Sequence, residues 1–319
     1  MDGITVGVFG SDSEVKAGFE SAIAKKSEAE GISVFTRTDG GRRYSLLDTD
    51  DFPGRIQGYS KIASICDHAL YLFPKSGKLT PPDGELAVLL ESFMVPGTLE
   101  ILDGSAAAET ASASLKGTSV SLFPANVRRQ GESAIDLAES KPRADFPQKG
   151  TLIYVDRVFT VKGVGTVALG FILSGTLKVH DQLRPVPGSP DRRVDVKGIQ
   201  VNDVDFDTVG RGIRVGLSLR GIEPSDLEKS HWLDDGSYEL TAAPKLELSK
   251  SRFYRQEIAN RDLHLQVPGE MVPAHLTASG SEVSALLPWQ VPIWEGMRTC
   301  VVDLNGGSQR IAGGATVKF

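Results

Sequence analysis

Near residue 150 the hydrophobic pattern of this 319-residue chain changes period, and that change bounds the fold more tightly than any single motif. Before it, short apolar runs alternate with helical spacing. ITVGVFG reads as a strand, and Val15, Phe19, Ala22 and Ile23 recur behind it at helical intervals. YSLLDT is a second strand, followed by DFPGR and a helical series through Ile56, Tyr59, Ile62, Ala63 and Cys66. ALYLF, the helix ELAVLLESF, and the runs TLEIL and TSVSLF continue the alternation. Strands alternating with helices predict a mostly parallel sheet covered on both faces, with ligands at the carboxyl ends of its strands. After residue 150 helical spacing all but vanishes. TLIYVDRVFTV, GTVALGFILSG, VDVKGIQV, GIRVGLSLRGI, RTCVVDL and ATVKF are short strands separated by Gly, Pro, Asn and Asp, the pattern of antiparallel barrels.

The expected fold is therefore an α/β N-terminal domain followed by two all-β barrels. The tract GESAIDLAESKPRADFPQKG, with Pro142 and Pro147, reads as a linker. Pro244 and the charged KLELSKSRFYRQE interrupt the later strand series. The boundaries this gives are residues 1–147, 148–241 and 242–319.

Charge and cysteine content narrow the function classes. Residues 1–145 carry 15 Lys and Arg against 21 Asp and Glu, and the remainder carries 20 of each. An acidic front and a neutral back are not the basic surplus of a general nucleic-acid binder. Cys66 and Cys300 belong to no C-x-x-C pair, and the five histidines form no H-x-x-x-H or H-E-x-x-H. A disulfide framework and a metal centre are not expected, and a reducing cytoplasm is the default location. No apolar run approaches the roughly 20 residues that cross a bilayer, so no membrane partner is expected.

The stretch FGSDSEVKAGF, at the first strand-to-helix junction, is the motif closest to chemistry. A phosphate-binding loop there reads G-x-x-x-x-G-K-[ST]. In that register the chain has Gly10, four residues, Val15, Lys16 and Ala17. The lysine is kept, whereas the second glycine and the hydroxyl are not. Ser13 and Lys16 also have the spacing of a Ser-Lys hydrolase pair, without the S-D-N or K-T-G that accompany one.

Residues Val155 to Trp232 carry a longer likeness. VDRVFTVKGVGTVALGFILSGTLKVHDQL and KGIQVNDVDFDTVGRGIRVGLSLRGIEPSDLEKSHWL resemble domain 2 of the translational GTPases, as in the selenocysteine-specific elongation factor and elongation factor Tu. The chain departs from that pattern at His180 and Ser230, which stand where the family has glycine. QRIAGGATVKF, at the far end, resembles the closing strand of the family's third domain. Gly163, Gly165 and Gly175 serve barrel turns on either reading.

The resemblance implies that the front third is the GTPase domain. Gly10 and Lys16 then mark a vestigial phosphate loop, and Asp51 and Gly54 of D-F-P-G match the family's magnesium and γ-phosphate turn. Arg55 stands where the family has the histidine that orients water, and GISVF, with Ser33, stands for a shortened switch segment. After TLEIL comes Asp103-Gly104-Ser105 in place of the guanine-reading N-K-x-D. The expectation is a pseudo-GTPase with no cofactor: neither GTP nor magnesium is expected to bind tightly. The plain reading of Asp51 to Gly54 is an ordinary turn, and that of Lys16 a solvated lysine.

By the same resemblance, tRNA and the ribosome are the expected partners. Arg157, Arg211, Arg214 and Arg220 are the candidate RNA contacts, with Lys162, Arg192, Arg193 and Lys197 beside them. Trp289 and Trp294 offer either a stacking surface or barrel core. Two other readings stay open: a protein-interaction adaptor without nucleic acid, and an elongation factor that still binds GTP.

Overall fold

A computed structural model describes residues 1–20, 26–29, 31–39, 41–129, 140–279, 282–307 and 309–319. Ala22, Ile23 and residues 131–139 of the expected linker lie outside them. The front layer runs β1 (Gly3–Phe9), α1 (Ser13–Glu20), β2 (Lys26–Ala29), β3 (Ile32–Asp39), β4 (Arg42–Asp48), α2 (Gln57–Ile65), β5 (His68–Leu72), α3 (Pro81–Phe93), β6 (Gly97–Leu102), α4 (Ala108–Ser114) and β7 (Ala125–Arg128). Its sheet has the order β2-β3-β4-β1-β5-β6-β7. From β4 to β7 all pairings are parallel, while β2, β3 and β4 pair antiparallel.

Local sequence explains the elements that matter to the site. All seven residues of β1 are buried, as expected for a central strand covered on both faces. Helix α2 buries Tyr59, Ile62 and Ala63. Helix α3 begins with a capping box in which the Thr80 N–H donates to Asp83 Oδ2 at 2.8 Å, and proline occupies its first turn. It ends at Met94 in the left-handed region, with φ of 51°. TSVSLF differs from its expected strand: Ser119–Leu122 is a single 3-10 turn, and the sheet's last strand is β7 instead. The hydroxyls of Thr118 and Ser121 bond back to nearby carbonyls, a local alternative to a ladder.

Both remaining bodies are closed antiparallel barrels. In the first, strands 182–186, 232–234, 152–161, 165–174, 214–220 and 194–201 form a ring, closed by pairing of 182–183 with 194–195. In the second, strands 245–250, 282–286, 270–279, 261–267, 298–302 and 311–318 close in the same way.

The three bodies meet in a polar knot at the amino ends of the front strands. Asp67, before β5, accepts from the Thr5 and Arg143 amides at 3.0 Å and from the Arg211 guanidinium. Arg143 donates to the carbonyls of Ala63, Cys66 and Phe93, capping the carboxyl ends of α2 and α3. The Phe146 ring lies 5.3 Å from the Arg143 guanidinium, 4.8 Å from that of Arg211 and 5.5 Å from the Trp294 ring. The backbone continues the seam, since the Gly3 amide donates to Arg211 O and the Gly210 amide to Met1 O.

Candidate functional site

The carboxyl end of the front sheet is where a phosphate loop would act, and the chain has filled it with its own groups. Strand β1 ends at Phe9 and α1 begins at Ser13, so only Gly10, Ser11 and Asp12 separate them. The helix already contains residues 13 to 15, which a phosphate-binding loop keeps open so that its amides can converge. The Lys16 amide donates to Asp12 O at 3.0 Å, an ordinary helical bond. Asp12 Oδ1 accepts from the amides of Glu14 at 3.0 Å and Val15 at 3.2 Å, and Oδ2 accepts from the Lys75 amide at 3.0 Å. An internal carboxylate thus holds the helix terminus that would receive an anion. Ser11 donates to Asp83 Oδ1 at 2.5 Å.

Lys16 is not the solvated lysine that its sequence context suggested. It is buried, its ammonium 2.7 Å from Thr49 O and 3.0 Å from Asp48 Oδ2. Tyr59 closes the arrangement from α2. Its hydroxyl lies 2.9 Å from Asp48 Oδ1 and 3.0 Å from Gly10 O, and accepts from the Gly10 amide at 3.4 Å. Burial, then the field of Asp48, pushes the Tyr59 phenol well above its ordinary pKa, so it remains a neutral hydroxyl.

The structure therefore brings together Gly10 and Lys16 and leaves Asp51 and Gly54 on an exposed turn. Asp48, at the end of β4, is the carboxylate that faces Lys16. It was legible only as the polar residue closing the apolar run YSLLD. The turn at 53–54 has a different neighbour: Arg310 of the second barrel donates to Pro53 O at 3.1 Å and Gly54 O at 3.3 Å, and pairs with Glu85 at 2.5 Å. Ser33, expected in a switch segment, lies inside β3 opposite Asp48. Where β6 and β7 end, Arg128 pairs with Glu100 at 3.7 Å and lies 4.7 Å over the Phe19 ring.

These residues do not fit a guanine nucleotide with magnesium. Ala17 offers no oxygen to a cation, Asp12 would repel a phosphate, and Lys16 is neutralised by Asp48. The Ser13–Lys16 pairing fares no better, because the ammonium is committed to Thr49 and Asp48.

The four candidate RNA contacts divide evenly. Arg211 is spent in the three-body knot, and Arg214 pairs with Asp156 at 2.8 Å with its side chain largely buried. Arg157 is exposed, and Arg220, 72% exposed, pairs with Asp195 at 3.0 Å. Trp294 belongs to the junction, where its indole N–H donates to Asp145 O at 2.6 Å. Trp289 is half-buried and stacks on His231 with ring centres 5.5 Å apart.

Residues 165–233 match the family model of elongation factor Tu domain 2. An uncharacterized protein of Methanocaldococcus jannaschii is 29% identical over 255 residues, 78% of this chain and 77% of its own length. The selenocysteine-specific elongation factor of the same organism is 42% identical over 73 residues, 23% of this chain and 15% of that factor. The one from Desulfomicrobium baculatum is 38% identical over 79 residues, 25% of this chain and 12% of that factor. Among solved structures, a bacterial selenocysteine-specific elongation factor superposes with a TM-score of 0.80 at 16% identity, over 99% of this chain and 58% of its own. The Methanococcus maripaludis elongation factor SelB bound to the GTP analogue GppNHp gives 0.79 at 18% identity, over 100% of this chain and 80% of its own. The chain thus spans a small part of its curated elongation-factor relatives by sequence, and more than half of each solved one by fold. The chain carries a barrel similar to elongation factor Tu domain 2 within a three-body fold on the plan of the selenocysteine-specific elongation factors.

Proposed function

We propose that this protein is a pseudo-GTPase translation factor: a body of the selenocysteine-specific type that acts on tRNA or the ribosome without binding or hydrolysing GTP. The observation that carries the reading is the self-filled cradle, in which Asp12 takes the helix-terminal amides while Asp48 and Tyr59 take Lys16 and Gly10. A nucleotide would have to displace a buried ion pair and unwind the first turn of α1, both unfavourable. A constitutively closed body presents its barrel surfaces without waiting for a nucleotide, and Arg157 and Arg220 are the candidate cations left facing outward.

Titration calorimetry with GTP and GDP in the presence of magnesium tests the first half. No heat of binding is expected at micromolar nucleotide, and a magnesium-dependent micromolar dissociation constant overturns the reading. Filter binding of bulk tRNA and of ribosomal subunits tests the second half. Retention without nucleotide is expected, falling with salt and weakened several-fold by Arg157→Ala. Absence of binding to either overturns it.

A further inference from the structure

Three exposed apolar residues serve neither the cradle nor the knot. Met94 ends α3 with 61% of its surface exposed, Leu122 of the 3-10 turn is 84% exposed, and Phe253 of the second barrel is 45% exposed. Met94 and Leu122 line one cleft of about 610 Å³ between the front layer and the second barrel. Met94 and Arg298 also line an adjoining cleft of about 780 Å³, whose far wall includes Lys141. The two clefts share those residues and form a single groove. Met94, common to both clefts, and Leu122 are thus exposed aliphatic side chains on the walls of one groove, and larger exposed apolar patches mark interaction sites.

The charge around the groove has one sign to spare. Two of its carboxylates are already paired, Glu247 with Lys318 at 3.1 Å and Asp145 with Arg143 at 2.6 Å, while burial pushes the Glu91 carboxyl up against the opposing field of Arg252. Lys141, Lys250 and Arg298 line the same walls and have no carboxylate partner among the described residues. Arg252, on the same wall beside Phe253, faces Glu91. An occupant gains most here if it brings aliphatic anchors for Leu122 and Met94 and carboxylates for the flanking cations. RNA answers the cations but gains little from leucine and methionine, which offer no stacking face.

We propose that this groove docks an acidic amphipathic segment of a partner protein, apolar anchors lying over Leu122 and Met94. The site is separate from the nucleotide cradle and from the exposed barrel arginines, so it holds or fails independently of the pseudo-GTPase reading. In translation-factor terms it makes the front layer and second barrel together the face read by another protein.

The test uses the full chain and three labelled probes in fluorescence anisotropy. One is a 16-residue helical peptide with leucine at every third and fourth position and glutamate elsewhere. The second has lysine for glutamate, and the third is a 12-residue oligouridylate. Saturable binding of one acidic peptide per chain is expected, weakened about tenfold by Leu122→Asp and by the double variant Lys250→Glu with Arg252→Glu. The lysine peptide should not bind. Leu122 is so exposed that its substitution leaves the fold intact, which circular dichroism checks. Equal affinity in the variants, absence of peptide binding, or preference for oligouridylate insensitive to Leu122→Asp overturns the proposal. So does sedimentation showing a dimer that Leu122→Asp dissolves, since the occupant would then be a second copy.

Discussion

The two ends of the front sheet are built differently. At the carboxyl ends of its strands, Asp12 takes the amides at the start of α1 while Lys16, Asp48 and Tyr59 contact one another. At the amino ends, Asp67, Arg143, Arg211 and Phe146 keep the three bodies in register through buried, reciprocated contacts. At the first end the contacts sit beside an exposed turn, at Asp51 and Gly54. The junction is held by buried groups that answer one another, so removing one leaves a buried polar group short of a partner.

Variants at the two ends measure that difference directly. The largest effect is expected at the knot. Arg211→Ala leaves the Asp67 carboxylate buried without its main counter-charge, and Asp67→Ala leaves two amides and a guanidinium unanswered. Each should cost about 3–5 kcal/mol in urea unfolding; a loss under about 1 kcal/mol would mean that the knot does not hold the bodies together.

Next comes pH. His68, at the start of β5, is buried and bonded to Thr98 Oγ1 at 3.0 Å, and burial lowers its pKa to about 4 from 6.5. The unfolded chain then binds the proton more readily than the folded one between those values. Stability from this group is fully present above pH 6.5 and is lost as pH falls towards 4, by about 3 kcal/mol. His68→Gln should flatten that part of the profile relative to the parent, measured as urea midpoints at pH 7.5 and 4.5. An unchanged slope would mean that His68 is solvated.

At the other end of the sheet, Asp12→Ala removes a helix cap and should cost about 1 kcal/mol. The triple variant Asp12→Gly, Val15→Gly, Ala17→Ser removes the Asp12 cap and supplies the motif's glycine and hydroxyl, while leaving the Lys16–Asp48–Tyr59 contacts in place. It should still fail to bind GTP in calorimetry; recovered binding would show that the loop residues alone had closed the site. The smallest effect belongs to the barrel surface. Arg220→Ala breaks an exposed pair with Asp195 and should leave the urea midpoint unchanged, while lowering tRNA retention if that arginine meets RNA.

Legibility followed the same divide. The first barrel could be read from its sequence because its signals are backbone requirements: Gly175 has φ of 73° and stands so close to Gly150 O that a side chain would collide. His180, where the family has glycine, nevertheless keeps the left-handed conformation at φ of 76°, so the turn outlasted the residue type that favours it. The 3-10 turn at Ser119–Leu122 was misread because TSVSLF alternates like a strand, whereas short hydroxyl-to-carbonyl bonds bend it. The fates of Arg211 and Arg214 were invisible for a different reason. An arginine on a barrel strand reads the same whether it meets solvent or a buried aspartate from another segment.

The sequence alone determined the change from α/β to barrel at residue 150, the likeness of the first barrel to elongation factor Tu domain 2, and the absence of Gly at 15 and of Ser or Thr at 17. Each is written in neighbours a few positions apart, where periodicity and backbone restriction act. Only the tertiary structure decided what Lys16 meets and what the arginines hold. Lys16 meets Asp48 across 32 positions and Asp67 meets Arg211 across 144. Such pairs are fixed by burial, which leaves a charge no partner but the one the fold supplies.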